Sequence, residues 1–398
     1  MSTRPSASPT PGTPEHRARR LGGVTVMSVV AASAVLLAAC SSSPKASTST
    51  TTASTTTTTA AVSLSSLENW PTSPVALQET GSSLLYPLFN SWTADIQKQW
   101  PSVSITTAST GSGTGISSAA AGTVNIGASD AYLSPSEMQQ YPALENIPLA
   151  ISGQQVNYNL PGLTDHLKLD GPTVAEIYLG KITKWNDAKI AALNPGVTLP
   201  ATPIVTVHRS DSSGDTFLFS SFLAASDPSG WTIPPNTTVA WPALPGAVAA
   251  MGNGGMVQAC KASPGCIAYI GVSYLSKATA AGLGYASLKN KSGNYELPTQ
   301  AAIGSAAASF ASSTPANGAV SMIFGPASDG YPIVNYEYAI VPGTQPNALA
   351  AQATKAVLAW AIDPSGGSAS TYLNAVNFVA LPSAVVSLST KLIAKVSG

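Results

Sequence analysis

Apolar runs recur along the chain, and most of them lead through a turn of small residues into a stretch with helical periodicity. Four runs have the length and the β-branched content of buried strands: 75–80, 103–107, 124–131 and 203–207. Three of the four are followed by glycine and serine and then by apolar positions spaced three to four apart. This alternation of strand, turn and helix predicts an α/β fold.

The later part of the chain predicts a second domain. Apolar stretches at 147–151 and 156–160 predict strands where the chain crosses into that domain, and 331–341 predicts the returning strand. A helix is predicted over 349–361, ending before Asp363-Pro364. Two crossings predict a hinge, about which two lobes can close around a ligand.

The turn after the fourth apolar run has the composition of an anion site. Ser213, Gly214 and Asp215 would form a helix's first turn, where N–H groups have no intrahelical partner and the dipole is positive. Arg209 adds a forked pair of charged donors, and Asp211 is near enough to hold its guanidinium. The alternative is an ordinary capped helix with a surface arginine.

Asp130 ends the third apolar run. In an α/β sheet, the carboxyl end of a strand lies at the crevice where such folds bind ligands. The alternative is a helix or turn cap. The Gly-Ser cluster at 109–116 also lies between a strand and a helix, but it lacks the lysine of a P-loop, so nucleotide hydrolysis is not supported.

Residues 1–39 have the pattern of a signal peptide, with arginines before an apolar segment at 24–39. The segment ends in Leu-Ala-Ala-Cys, which resembles a bacterial lipobox and makes Cys40 the predicted lipidation site. The alternative is a plain secretory signal with a chance cysteine. Residues 40–66 are rich in Ser, Thr and Ala and predict a flexible tether.

Charge adds little attraction for nucleic acid. The leader carries four arginines and one glutamate, so its removal leaves 14 basic and 17 acidic residues. Charged residues make up only 9% of the chain, and no basic stripe with interleaved aromatics is present.

The two remaining cysteines, Cys260 and Cys266, flank the turn Pro264-Gly265 and predict a small structural disulfide in an exported protein. A zinc site would need two more ligands, and after the leader only His166 and His208 remain. We expect no metal and no cofactor.

Several segments together resemble the PstS family, the periplasmic phosphate-binding proteins of ABC importers. They occur in the family's order: Gly81–Leu84, Gly111–Gly113, Ile126–Asp130, Asp170–Asp187, Leu193–Gly196 and Arg209–Gly214. The resemblance implies a two-lobed periplasmic-binding-protein fold of type II, each lobe a mixed sheet flanked by helices, joined by a two-strand hinge. Lobe I would span 67–152 plus 333–398, and lobe II 153–332.

The resemblance also implies a ligand set for phosphate. The matching residues are Ser83, Leu84 through its N–H, Ser112, Asp130, Arg209, Ser213, Gly214 and Asp215, with Asp211 supporting the arginine. Asp215 departs from the family, since many members have threonine there. Its N–H can still serve, and its carboxylate either turns away from the ligand or accepts a second phosphate proton. The implied role is capture of inorganic phosphate and delivery to a membrane ABC permease. With the lipobox, this predicts a protein lipid-anchored on the extracytoplasmic face of the cell membrane, and a monomer is the default expectation.

The proton of phosphate explains why an anion site would contain an acid. Near neutral pH phosphate keeps at least one proton, which Asp130 can accept. Sulfate has no proton to give, so two anions would face each other, a mismatch on the order of 10³-fold in affinity.

Three other functions fit parts of the sequence. A binding protein for sulfate or molybdate would share the donors, although Asp130 argues against a fully deprotonated ligand. A phosphatase or serine hydrolase could use Ser112 or Ser213, but His208 should point to the opposite strand face from Arg209, and no G-x-S-x-G motif occurs. A cell-wall structural protein would explain the tether but not the loops.

Overall fold

The computed structural model describes residues 62–163 and 165–398. The predicted signal peptide, Cys40 and most of the predicted tether lie outside these residues. No helix in the described ranges is long and apolar enough to cross a membrane.

Strands and helices alternate as the apolar runs predict. The strands are β1 (Val75–Gly81), β2 (Val103–Thr106), β3 (Ile126–Ser129), β4 (Leu144–Tyr158), β5 (Lys168–Leu169), β6 (Val205–Arg209), β7 (Val248–Ala250), β8 (Cys266–Gly271), β9 (Gly284–Tyr285), β10 (Ser287–Lys289), β11 (Tyr295–Glu296) and β12 (Val334–Pro342). The helices are α1 (Leu64–Leu67), α2 (Tyr86–Gln99), α3 (Ser112–Ala120), α4 (Pro135–Gln140), α5 (Gly171–Tyr178), α6 (Ala188–Leu193), α7 (Gly214–Ser226), α8 (Gly252–Ala262), α9 (Leu275–Ala280), α10 (Gln300–Ala308), α11 (Ala348–Ile362), α12 (Ser370–Leu373) and α13 (Ser383–Ala394).

One nine-stranded mixed sheet runs through the molecule in the order β2-β1-β3-β12-β4-β8-β6-β7, with β9 also paired to β4. At one end β1 is parallel to both β2 and β3, and at the other β6 is parallel to both β7 and β8. The long strands β12 and β4 are antiparallel neighbours in the middle. A separate three-stranded sheet has the order β11-β10-β5.

The strand β4 joins the two halves of the sheet. Its residues 144–153 pair with β12, and its residues 154–158 pair with β8. We predicted two strands here, at 147–151 and 156–160, and that interpretation was wrong. The strand continues between them because its backbone passes directly from pairing with β12 at Gly153 to pairing with β8 at Gln154. Two of the polar side chains there also have buried partners: Ser152 donates to Glu337, and Gln154 donates to Asp215.

Two smaller features bear on the predicted boundaries. The helix α1 overlaps the end of the predicted tether, and its residues Leu64 and Leu67 pack against the core, so the folded part begins slightly before the predicted residue 67. Cys260 and Cys266 form a disulfide that joins the end of α8 to the start of β8.

Candidate functional site

The ends of two pairs of parallel strands, β1 with β3 and β6 with β7, contribute to one buried site. Ser82 and Asp130 follow β1 and β3, while Arg209 ends β6 and Asn253 follows β7 by a short turn. Ser112 begins α3, behind the loop that leaves β2. These five side chains are at most 5% exposed. The carboxyl ends of parallel strands therefore bring together residues that are far apart in the chain.

Asp130 lies between two hydroxyl groups. Ser82 Oγ donates to its Oδ1, and Ser112 Oγ donates to its Oδ2 at 3.3 Å. The N–H of Asp130 donates in turn to Ser112 Oγ at 3.2 Å. Burial and then the negative charge of Asp215 raise the pKa of Asp130 to about 7, while Ser82, Glu337 and Arg209 oppose the rise. Asp130 can therefore gain or lose a proton near neutral pH.

The first turn of α7 faces Asp130 at very short range. A Cβ added to Gly214 would lie 2.6 Å from Asp130 Oδ2 and 2.6 Å from Ser112 Oγ, so only glycine fits between them. Ser213 caps the helix, because its Oγ accepts from Thr216 N at 3.3 Å. Its own N–H donates to Thr237 O at 2.8 Å, which leaves the N–H groups of Gly214 and Asp215 at the open helix end.

Arg209 is held by two carboxylates. Asp211 accepts from both Nε, at 2.7 Å, and Nη2, and Asp215 Oδ2 accepts from Nη1 at 2.7 Å. Burial lowers the pKa of Arg209, but hydrogen bonding to Asp211 and the charge of Asp215 outweigh it and raise the pKa overall. Burial raises the pKa of Asp211, yet the arginine holds it below its usual value. The ion pairs thus keep this guanidinium charged and fixed.

Asp215 has its carboxylate fully engaged. Besides Arg209, its Oδ2 accepts from Asn253 Nδ2 at 2.7 Å, and its Oδ1 accepts from Gln154 Nε2 at 3.1 Å. Burial raises the pKa of Asp215, and Arg209 is the largest opposing influence. The side chain that departs from the family is therefore tied into the network around the arginine.

Asn253 connects the two sides of the site. Its N–H and its Nδ2 each donate to Ser83 Oγ at 3.0 Å, and its Oδ1 accepts from Gly271 N at 2.7 Å. Ser83 and Asn253 are 170 residues apart in the chain. This amide therefore fixes the position of the Ser83 hydroxyl relative to Asp215 and Arg209.

The structure brings the residues predicted from sequence into one place. Leu84 is close by, but its N–H donates to Ser82 Oγ at 3.1 Å in this structure. Both histidines after the leader have other partners. His208 lies beside Trp241, with ring centroids 5.6 Å apart, and His166 Nδ1 lies 2.9 Å from Tyr285 O. Ser112 pairs with Asp130 rather than with a base.

Sequence reasoning missed four residues of this network: Ser82, Gln154, Asn253 and Glu337. Asn253 lies in Gly252-Asn253-Gly254-Gly255, directly after β7, so the same pattern of strand, glycine turn and helix could have found it. Glu337 could have been noticed as a single acid within the apolar run of β12. Gln154 had no comparable signal, because its stretch resembles a polar turn.

Comparisons with known proteins agree with this architecture. A family model described as a PBP superfamily domain matches residues 42–365. The phosphate-binding protein PstS of Xylella fastidiosa is 34% identical over 315 residues, which cover 78% of this chain and 83% of that protein. The phosphate-binding protein PstS of Methanocaldococcus jannaschii is 32% identical over 290 residues, covering 69% and 74%.

Solved structures show the same fold. A phosphate-binding protein from Stenotrophomonas maltophilia has a TM-score of 0.61 at 21% identity, covering 80% of this chain and 93% of that one. A high affinity periplasmic phosphate-binding protein solved with phosphate has a TM-score of 0.63 at 23% identity, with the same coverage. The mixed sheet and these likenesses fit a two-lobed periplasmic-binding-protein fold.

Proposed function

The chain belongs to the PstS family of phosphate-binding proteins, and on that premise we propose that it captures inorganic phosphate between its lobes and delivers it to an ABC importer. One observation carries the proposal. Asp130, with two hydroxyls beside it, faces the open first turn of α7 next to the buried Arg209. A tetrahedral anion that still holds a proton satisfies all of these groups at once.

Arg209 has N–H donors that remain available for a ligand. A guanidinium has five N–H donors, and three of them serve Asp211 and Asp215. Two therefore remain, one on each terminal nitrogen, which is a fork that suits two oxygens of phosphate. The remaining donors of the proposed set are the hydroxyls of Ser83, Ser112 and Ser213 and the N–H groups of Leu84, Gly214 and Asp215. Of these, the Ser112 hydroxyl and the Leu84 N–H would exchange their bonds to Asp130 and Ser82 for bonds to the ligand.

Asp130 supplies selectivity in this proposal. Its carboxylate accepts the proton of phosphate, whereas sulfate would place a second anion against it. Its burial supports this role, because an unpaired charge is costly where water cannot solvate it.

Asp215 has a different role from Asp130 in this proposal. We assign its backbone N–H to phosphate and its side chain to Arg209, because both carboxylate oxygens already accept from Arg209, Asn253 and Gln154. A second acceptor for phosphate protons at this position would have to give up these bonds.

The proposed lobes are 67–152 plus 333–398, and 153–332. The change of partner along β4, from β12 to β8 after Gly153, supports a boundary there, and β12 begins at Val334. Asp130 and Gly214 already lie close together, so opening of a hinge about these two strands would separate them and admit the ligand. The sequence of residues 1–61 supports the rest of the proposal, which is export under a signal peptide and a lipid anchor at Cys40. The protein would then be a monomer tethered outside the membrane beside its permease.

Equilibrium binding tests the proposal. Titration calorimetry of phosphate into the full chain, repeated with excess sulfate as competitor, should show one site that sulfate does not displace. Equal affinity for sulfate would favour a general oxyanion-binding protein instead. Incubation with a chromogenic phosphate ester should give no turnover, and steady release of product would establish a phosphatase.

A further inference from the structure

Glu337 is a buried acid that phosphate contact does not explain. It is fully buried on β12, beside the end of β3. Ser129 pairs with Tyr338 across these antiparallel strands, and one step further along the register places Asp130 opposite Glu337. The amide of Asn335 joins the two residues, because its Nδ2 donates to Asp130 O at 3.2 Å and to Glu337 Oε1 at 3.0 Å.

The two oxygens of Glu337 have different surroundings. Its Oε1 accepts from Ser152 Oγ and from Asn335. Its Oε2 is buried and has no hydrogen-bonding partner among the described residues when both carboxyl groups are ionised. The side chains of Glu337 and Asp130 lie within hydrogen-bonding reach. Two buried carboxylates in contact repel each other strongly, so the pair holds at least one proton.

The surroundings decide which acid holds that proton. Asp130 accepts from two hydroxyls and lies near Arg209, all of which favour its ionised form, although Asp215 opposes it. Glu337 accepts hydrogen bonds from one hydroxyl and one amide, and the acid opposite it across the strands is Asp130. Burial and then the charge of Asp130 raise the pKa of Glu337 well above its usual value, and the neighbouring phenol of Tyr338 stays neutral because burial raises its pKa too.

We propose that Glu337 is a positioning residue that stays protonated and donates its hydrogen from Oε2 to Asp130. Asp130 then remains an ionised acceptor. The hydrogen bond from Glu337 holds its carboxylate in place, and the carboxylate accepts a second hydrogen bond from the proton of phosphate. This inference rests on the proposed function, since it gives Asp130 the negative charge that it needs to accept the proton of phosphate in a hydrogen bond. The specificity of the site thus depends on an acid that does not touch the ligand.

Two substitutions at this position separate the proton from the packing. Glu337→Gln keeps a neutral donor, so phosphate affinity at pH 7 should stay within about threefold of the wild type. Glu337→Met fills the space without a donor, so Asp130 should become harder to ionise, with affinity at pH 7 falling about tenfold and sulfate discrimination falling with it. The loss in Glu337→Met should shrink at pH 9, where Asp130 ionises regardless.

Glu79 provides a matched control, because it is a buried acid on β1 whose two carboxylate oxygens also have no partner among the described residues. Glu79→Gln should leave sulfate discrimination unchanged. A purely structural role for Glu337 would give losses independent of pH, and equal losses in the Gln and Met variants would overturn the proposal.

Carbon-13 NMR titration of the carboxyl groups tests the same idea in the ligand-free chain, even if Glu337→Met fails to fold. The Glu337 signal should keep its protonated shift at pH 7. An ionised Glu337 beside a protonated Asp130 would overturn the inference. Absence of phosphate binding by the wild type would overturn the proposed function but would leave this titration to decide the state of Glu337.

Discussion

The two sides of the proposed phosphate site are built from different groups. The side formed at the ends of β1 and β3 has hydroxyls around one acid, Asp130, and no cation among its described contacts. The side formed by β6 and α7 has Arg209 locked between Asp211 and Asp215. The first side can change its protonation near neutral pH, because the pKa of Asp130 is raised to about 7, whereas on the second side Arg209 and Asp211 keep each other charged.

This difference suggests a division of tasks. The two remaining N–H donors of Arg209 and the open first turn of α7 suit any oxyanion, because they carry no information about the ligand's protons. An ionised acid, which can only accept hydrogen bonds, distinguishes a ligand that can donate from one that cannot. Affinity should therefore fail when the second side is changed, and selectivity should fail when the first side is changed.

Loss of the arginine should have the largest effect. Arg209→Met would leave Asp211 and Asp215 buried without their cation, which we expect to cost about 3–5 kcal/mol of unfolding free energy. Binding of phosphate and sulfate should fall together, on the order of 10³-fold for phosphate. Urea unfolding and calorimetry measure the two quantities.

A lysine at the surface provides the control for this change. Lys395 pairs with Glu145 at 3.0 Å with its side chain 55% exposed, so Lys395→Met should change stability by less than about 1 kcal/mol. A stable Arg209→Met variant that still binds phosphate tightly would contradict the role of the second side.

Stability of the ligand-free protein should depend on pH through the first side. The folded pKa of Asp130, about 7, lies above the unfolded value of about 4, so the folded state binds this proton more tightly. Its stabilising contribution is complete below about pH 4 and is lost as the pH rises through about 7, amounting to at most about 4 kcal/mol. The unfolding free energy should therefore decrease as the pH rises from about 5 to about 8, a range that includes the raised pKa.

Asp211 on the second side contributes with the opposite sign. The pKa of Asp211 is lowered by Arg209, so its contribution is lost only as the pH falls below the ordinary aspartate range. Asp130→Asn should make the decline between about pH 5 and about pH 8 shallower, and part of the remaining decline should come from Glu79, whose pKa burial raises to about 8. An undiminished decline in that variant would show that Asp130 does not contribute to it.

Selectivity should change when the acid itself is replaced. Asp130→Asn puts an amide where the carboxylate accepts, so phosphate affinity should fall on the order of 10²-fold, while the penalty against sulfate shrinks. Competition calorimetry with sulfate measures both. A variant that binds phosphate weakly but excludes sulfate as strongly as before would show that selectivity resides elsewhere.

Much of the site followed from local sequence, and the rest depended on long-range packing. The strand before Arg209 and the helix after Gly214 were visible because apolar spacing and small turn residues are local signals. The partners of Asp215 were not, since Gln154 and Asn253 reach it only through the folded sheet. The continuous strand β4 was missed for the same reason.

The smallest effect should come from the point where the two sides touch. Gly214→Ala would place a methyl 2.6 Å from Asp130 Oδ2 and Ser112 Oγ, so the sides must separate slightly or Asp130 must turn. Overpacking of this kind costs about 1–3 kcal/mol, and we expect a loss of about tenfold in phosphate affinity. Gly254→Ala is the matched control, because its new methyl would lie 3.7 Å from the nearest atom, on Tyr274. If both alanine variants bind phosphate like the wild type, the site can accommodate the extra methyl group. The close approach of α7 to Asp130 would then not be required for phosphate affinity.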